Sequence, residues 1–234
     1  AGAIKYTSGV ASLPDRNDAV EVTSKMAREM LEAGNLRYLA GQPMRPDQTL
    51  VRRQVVAAGQ HPFAAVLSCA DSRVPPEVLF DQGLGDIFSV RIAGNVVNTD
   101  ILGSMEFACK VAGSKLVVVL GHTKCGAVKG ACDHVEMGNL TELLSKLQPA
   151  VYSESETTAI DKRNSKNGKF VENVASLNVK RSVKSIIERS FILEEMLDKG
   201  EIGIIGAMYN IDTGKVDFYK DVSYIKKKKN PQFS

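Results

Sequence analysis

Two strongly apolar runs, Phe63-Ala64-Ala65-Val66-Leu67 and Leu116-Val117-Val118-Val119-Leu120, each lead straight into a short polar segment. The first opens onto Cys69-Ala70-Asp71-Ser72-Arg73, the second onto His122-Thr123-Lys124-Cys125-Gly126. Short branched apolar stretches bounded by Gly or Pro read as strands buried on both faces, the habit of a parallel sheet. Such sheets gather their ligands at the carboxyl ends of the strands. The pattern therefore predicts two thiols, an imidazole and a carboxylate on one edge of one sheet. Two cysteines and a histidine suit Zn²⁺, and three protein ligands leave a fourth position for water, as in a catalytic rather than a closed structural site. Residue by residue, a buried cysteine at each strand end with a capping histidine is the plain alternative. The convergence of all three at two strand ends favours the metal.

Helical and strand patterns alternate around that sheet. Residues 20–41 read as an amphipathic helix with Met26, Met30 and Leu31 on one side, ended by Gly41 and Pro43; residues 47–58 read as a second, stopped by Gly59. Pro75-Pro76 turns the chain away after the first strand. A strand near 86–92 leads into Gly94-Asn95, and a helix over 100–112 follows, capped by Thr99 or Asp100. Gly126, Ala127 and Ala131 are small enough to let a helix begin close against the ligands. Then come a helix over 139–149, a polar loop over 153–168 and one long helix over about 170–199, stopped by Gly200. Residues 202–211, the turn Asp212-Thr213-Gly214-Lys215 and residues 216–219 read as strand, turn and strand. The expected fold class is α/β: a single domain, 1–234, with a central mainly parallel β-sheet flanked by helices. Its expected parts are an N-terminal helical arm over about 20–58, a metal-binding core over 60–219 and a basic tail over 223–234.

Composition narrows the function. With 234 residues and 44% hydrophobic content the chain can bury one sizeable core. No apolar stretch approaches the roughly 20 residues that cross a bilayer, so no membrane span is expected. The net charge of +3 includes Lys226 to Lys229, and without them the remainder carries −1. A nucleic-acid partner is therefore not expected, and the lysines read as a solvated tail. The N-terminal Ala1-Gly2-Ala3-Ile4-Lys5 lacks an initiator Met and a signal-like apolar segment. A cytoplasmic location is expected, with a processed periplasmic or organellar form as the alternative. Four cysteines do not make a disulfide framework. Cys109 reads as a small buried apolar residue. Cys132 would share a helix face with Cys125, which leaves open a metal pair joined by His122 or His134.

Asp71 and Arg73 stand two apart, so in an extended segment they face the same side within reach of a charge-assisted pair. Arg73 would hold the Asp71 carboxylate toward the metal, where it accepts a hydrogen bond from metal-bound water. Two thiolates cancel the formal charge of Zn²⁺, so such a metal acidifies its water less than an all-histidine site does. The pair then serves orientation and proton handling. Asp71 becomes a conditional fourth ligand if its bond to Arg73 breaks.

Gln60-His61-Pro62-Phe63, the segment Cys69 to Pro75, Arg91 to Asn95 and Gly121 to Gly126 together strongly resemble the β-class carbonic anhydrases, over about residues 25–219. The resemblance implies a zinc enzyme interconverting CO2 and bicarbonate by attack of zinc-bound hydroxide, with one Zn²⁺ per subunit. Cys69, His122 and Cys125 would be the permanent ligands, and Asp71 with Arg73 the catalytic pair. It implies a helical arm that wraps a second subunit, and assembly as a homodimer or tetramer. It also implies a substrate pocket: Gln60 reaching the site at the dimer interface, Phe88 and Ala93 lining it, and Gly126 beside it. Phe107 falls where plant-type members often carry Tyr. Members with a bicarbonate-regulated closed state share a Trp three residues before the first ligand Cys; here that position is Val66 and the chain has no Trp. The open, plant-type subtype is therefore expected, with Asp71 on Arg73. His61 and His134 are proton-route candidates by chemistry alone. Hydrolysis of carbon disulfide or carbonyl sulfide on the same site, or a catalytically silent zinc-binding relative, are the alternatives.

Overall fold

The structure is a computed structural model and describes residues 20–225; the first nineteen residues and the Lys226–Lys229 run lie outside them. Among the described residues five strands form one sheet: β1 (Ala64–Ser68), β2 (Ile87–Arg91), β3 (Leu116–His122), β4 (Gly203–Tyr209) and β5 (Val216–Tyr224). Their order is β2-β1-β3-β4-β5. The first four run parallel, and β5 returns antiparallel to β4. The sheet is thus mixed but mainly parallel, as the apolar runs predict. β1 and β3 are buried along their whole length.

Alternate residues of those strands feed two cores. Ala65, Leu67, Val117, Val119 and Ile204 pack on one face with α4 (Thr99–Glu106), α8 (Gly168–Arg189) and α9 (Phe191–Asp198). Ala64, Val66, Val118 and Leu120 pack on the other with α1 (Ser24–Leu39) and the short α3 (Pro76–Leu79). The buried face of α1 runs through Ala27, Leu31, Gly34 and Asn35, whereas Met26 is exposed. Of the expected side, Leu31 is in the core and Met30 packs partly buried against it, so only Met26 departs; Gly34 lets the helix approach the Phe80 carbonyl where any side chain would collide. α2 (Leu50–Ala57) follows, N-capped by Thr49, whose hydroxyl accepts from the Arg52 N–H.

Four expected boundaries are corrected. The long helix is two: Ser190 leaves the helical region at φ −116° and ψ 97°, and its hydroxyl oxygen accepts from the Leu193 N–H to cap α9. The same hydroxyl donates to Glu106, a tertiary partner that the apolar periodicity does not reveal. The helix over 139–149 is also two, α6 (Gly138–Ser145) and α7 (Gln148–Ser153), because Pro149 fits only the first turn of a new helix. Asn98, not Thr99 or Asp100, caps α4; its side-chain oxygen accepts from the Ile101 N–H. That helix continues through a π-helical stretch over Phe107–Val111. Finally β5 runs to Tyr224, so Ser223 and Tyr224 belong to the sheet rather than to a tail. The loop over 153–168 is tied down by buried Glu154, whose carboxylate accepts from Arg163, Thr157 and Asn173.

Candidate metal centre

Strand register sets up the site. Ser68 is paired with Leu120 of β3 and Arg91 of β2, so Cys69 leaves β1 beside the end of β3, where His122 is the last strand residue. Lys124 then takes a left-handed conformation (φ 56°) that swings the chain round to Cys125, which caps α5 (Gly126–Cys132). Two hydrogen bonds steady this turn: Thr123 N–H donates to the Tyr209 carbonyl, and Thr123 Oγ1 accepts from the Ile211 N–H.

Cys69, His122 and Cys125 are all buried, and their ligand atoms lie within 4.8 Å of one another. The two sulfurs are 3.9 Å apart. His122 Nδ1 lies 2.9 Å from the Thr123 carbonyl. A carbonyl only accepts, so Nδ1 carries the proton and Nε2 presents a lone pair. That Nε2 is buried and has no hydrogen-bond partner among the described residues. An orphaned imidazole lone pair facing two thiols is what a metal satisfies, and the donor set S₂N suits zinc.

The thiols are unequal. Cys69 is held low, chiefly by the Cys125 thiol beside it and against the upward push of burial; the backbone N–H groups of Gly94 and Asp71, which donate to its sulfur, add to the lowering. Cys125 is pushed up for the converse reason, and by burial. A divalent metal binds thiolates, so its binding releases whatever protons the two sulfurs hold.

Asp71 and Arg73 meet, but across a turn rather than along an extended segment: the Val74 N–H donates to the Asp71 carbonyl. Arg73 donates Nε to Oδ1 at 2.9 Å and Nη2 to Oδ2 at 2.7 Å, and its backbone N–H donates to Oδ1 at 3.0 Å. This bidentate grip holds the Asp71 carboxyl well below the usual carboxylate range. Asp71 Oδ2 lies 4.0 Å from His122 Nε2, so the carboxylate stands at the lip of the ligand cluster.

The remaining expected residues are scattered. Ala93 sits in a tight turn over Ala93–Asn95, and Gly126 is the exposed first residue of α5. Phe88 is half-buried in β2, its ring centroid 6.0 Å from that of Phe107, which is itself exposed. Gln60 is exposed ahead of the amino end of β1. Within one chain the whole length of β1 lies between it and the ligands. His61 lies at that same remote end, and the ring of His134 stacks on Tyr152. Cys132 closes the far end of α5 and is outside the three-ligand cluster; burial pushes its thiol up to about 12, with Asp133 adding to the rise. Cys109 is buried and likewise raised to about 12 by burial.

Sequence reading missed Gly94. Its N–H donates to Cys69 Sγ at 3.3 Å from a left-handed conformation, φ 71°. A Cβ there would meet Leu147 Cδ1 at 2.9 Å and Ala127 Cβ at 3.3 Å. Gly94→Ala is expected to cost about 2–3 kcal/mol in urea unfolding, from left-handed strain plus overpacking. A change below about 0.5 kcal/mol would show that the turn is not under this constraint.

A family model described as carbonic anhydrase matches residues 64–216. Carbonic anhydrase 2 of Mycobacterium tuberculosis is 37% identical over 194 residues, covering 81% of this chain and 89% of the relative. The carbonic anhydrase of Mycolicibacterium smegmatis is 35% identical over 196 residues, covering 82% and 91%. Among solved structures, the β-carbonic anhydrase CafA of Aspergillus fumigatus matches with a TM-score of 0.62 at 26% identity, over 84% of this chain and 89% of that one. A chain from the tetrameric β-carbonic anhydrases of Sordaria macrospora shares the fold at a TM-score of 0.63 and 24% identity, over 72% and 85%.

Proposed function

The chain belongs to the carbonic anhydrase family, in its β class, and from that premise we propose how its own residues carry the reaction. The protein is a lyase that interconverts CO2 and bicarbonate. Cys69, His122 and Cys125 hold one Zn²⁺ per chain. When bound, the ion supplies an open coordination position at which water is acidified into a nucleophile. The observation that carries this reading is the buried, unpartnered His122 Nε2 facing two thiols, with the Asp71–Arg73 pair beside it.

Asp71 is the catalytic carboxylate. Ionised and fixed by Arg73, it accepts a hydrogen bond from the attacking water and aims the oxygen lone pair at the carbon of CO2. Arg73 keeps the carboxylate beside the metal position but off it, which is the open state that Val66 in place of a Trp favours. Phe88, Ala93 and Gly126 line the CO2 pocket. Gln60 reaches it from a second subunit, which explains why it lies remote from its own chain's ligands. The protein works as a homodimer or tetramer on this account, since one chain alone lacks the glutamine.

The test is stopped-flow CO2 hydration with a pH indicator, on protein loaded with zinc, stripped by a chelator and reloaded. Hydration should track zinc content, falling to the uncatalysed rate on stripping and returning on reloading. A rate that stays at background with a full equivalent of zinc bound would overturn the reading.

A further inference from the structure

Arg91 ends β2, the edge strand of the sheet, and its guanidinium reaches sideways across the end of β1. Nε donates to the Cys69 carbonyl at 3.1 Å, and Nη2 donates to the Asp71 carbonyl at 2.6 Å. The Ile92 N–H beside it donates to the Ser68 carbonyl. One planar guanidinium thus spans the carbonyls of Cys69 and Asp71. Between those carbonyls lie only the soft dihedrals of Ala70 and Asp71. Pinning both ends determines where the Asp71 carboxylate stands relative to the Cys69 sulfur.

We infer that Arg91 is the positioning residue for the zinc enzyme: it sets the distance between a metal ligand and the catalytic carboxylate without touching the reacting atoms itself. The inference rests on the function proposed above and deepens it. Arg73 orients the carboxylate within its own turn, and Arg91 fixes where that turn stands over the metal. The Asp71 N–H to Cys69 Sγ contact at 3.4 Å, one of the bonds that steady the ligand, is held by the same clamp. Only a fork of donors does this: a lysine ammonium is a point charge and satisfies one carbonyl at a time.

The experiment compares wild type, Arg91→Met and Arg91→Lys, each alone and with Asp71→Asn, in zinc-loaded protein. Arg91→Met is expected to lower kcat/KM for CO2 hydration by about tenfold to a hundredfold, since a catalytic group misplaced by an ångström costs that much. In the Asp71→Asn background the same change should cost less than about twofold, because there is no longer a carboxylate to place. Release of zinc to a chromogenic chelator should quicken by about tenfold, as for other groups that hold a metal ligand in place. Arg91→Lys, which keeps the charge and guards against a variant that does not fold, should recover little of the loss. Full additivity with Asp71→Asn, unchanged zinc release, or full recovery by lysine would each overturn the inference. The chelator assay does not depend on turnover, so a wild-type protein that fails to hydrate CO2 sinks the proposed function while Arg91 is still judged by zinc release.

Discussion

His122→Ala is expected to leave protein that no longer retains zinc through dialysis and hydrates CO2 about 10⁴-fold more slowly or worse. Alanine removes the sole nitrogen donor of the cluster and leaves two sulfurs 3.9 Å apart. Two donors do not complete the three-ligand set that leaves a single open position on zinc. The loss of rate follows from the loss of metal, since water's own pKa near 15.7 leaves almost no hydroxide at neutral pH. Zinc content by mass spectrometry beside stopped-flow rates checks both halves. Retained zinc with more than about a tenth of wild-type activity would show that the ligand set is wrong. The fold should persist, because the strands on either side of His122 are held by a core that the substitution leaves in place.

Asp71→Asn should separate catalysis from metal binding. The variant is expected to keep a full equivalent of zinc and to lose about 10²–10³-fold in kcat/KM, with kcat falling in step. Asparagine has the same shape, but its amide carries no charge and offers Arg73 one acceptor where the carboxylate offers two. The oriented acceptor beside the metal is lost while the three ligands are untouched. Stability should change by less than about 1 kcal/mol, because the Arg73 side chain is half exposed and water screens the pair. Activity within tenfold of wild type would remove Asp71 from the mechanism. Loss of zinc would make it a ligand instead.

The ligand cluster was legible in the sequence because each ligand sits just beyond a run too apolar to be anything but a buried strand. The halves of the site are brought together by register, which the parallel pattern implies. What was not legible depends on backbone partners. Arg91 and Gly94 act through a carbonyl pair and a single N–H, and neither leaves a spacing in the sequence that says so. The break at Ser190 was hidden because the apolar periodicity runs through it, and its cause is a hydrogen bond to a helix distant in the chain. The close approach of backbone to backbone at Gly34, which fixes how α1 seats on the sheet, has no signature in the apolar spacing either. Gln60 shows a different limit: the sequence likeness names it, yet its own chain holds it at the wrong end of the sheet.

β1 and β3 are buried on both faces, and the middle of β3 is three valines in a row. Polarity alone does not tell such a strand which face to present, since valine replaces valine. Packing does: a Cβ at Gly121 would meet Val179 Cγ2 at 2.5 Å, so a slip that brings Leu120 or His122 to that place collides. The metal centre adds a second check. A slip of one position also turns His122 to the opposite face, away from both sulfurs. Zinc captured during folding would act as a proofreader of strand alignment, so misaligned chains should be sought among the molecules that never acquire metal.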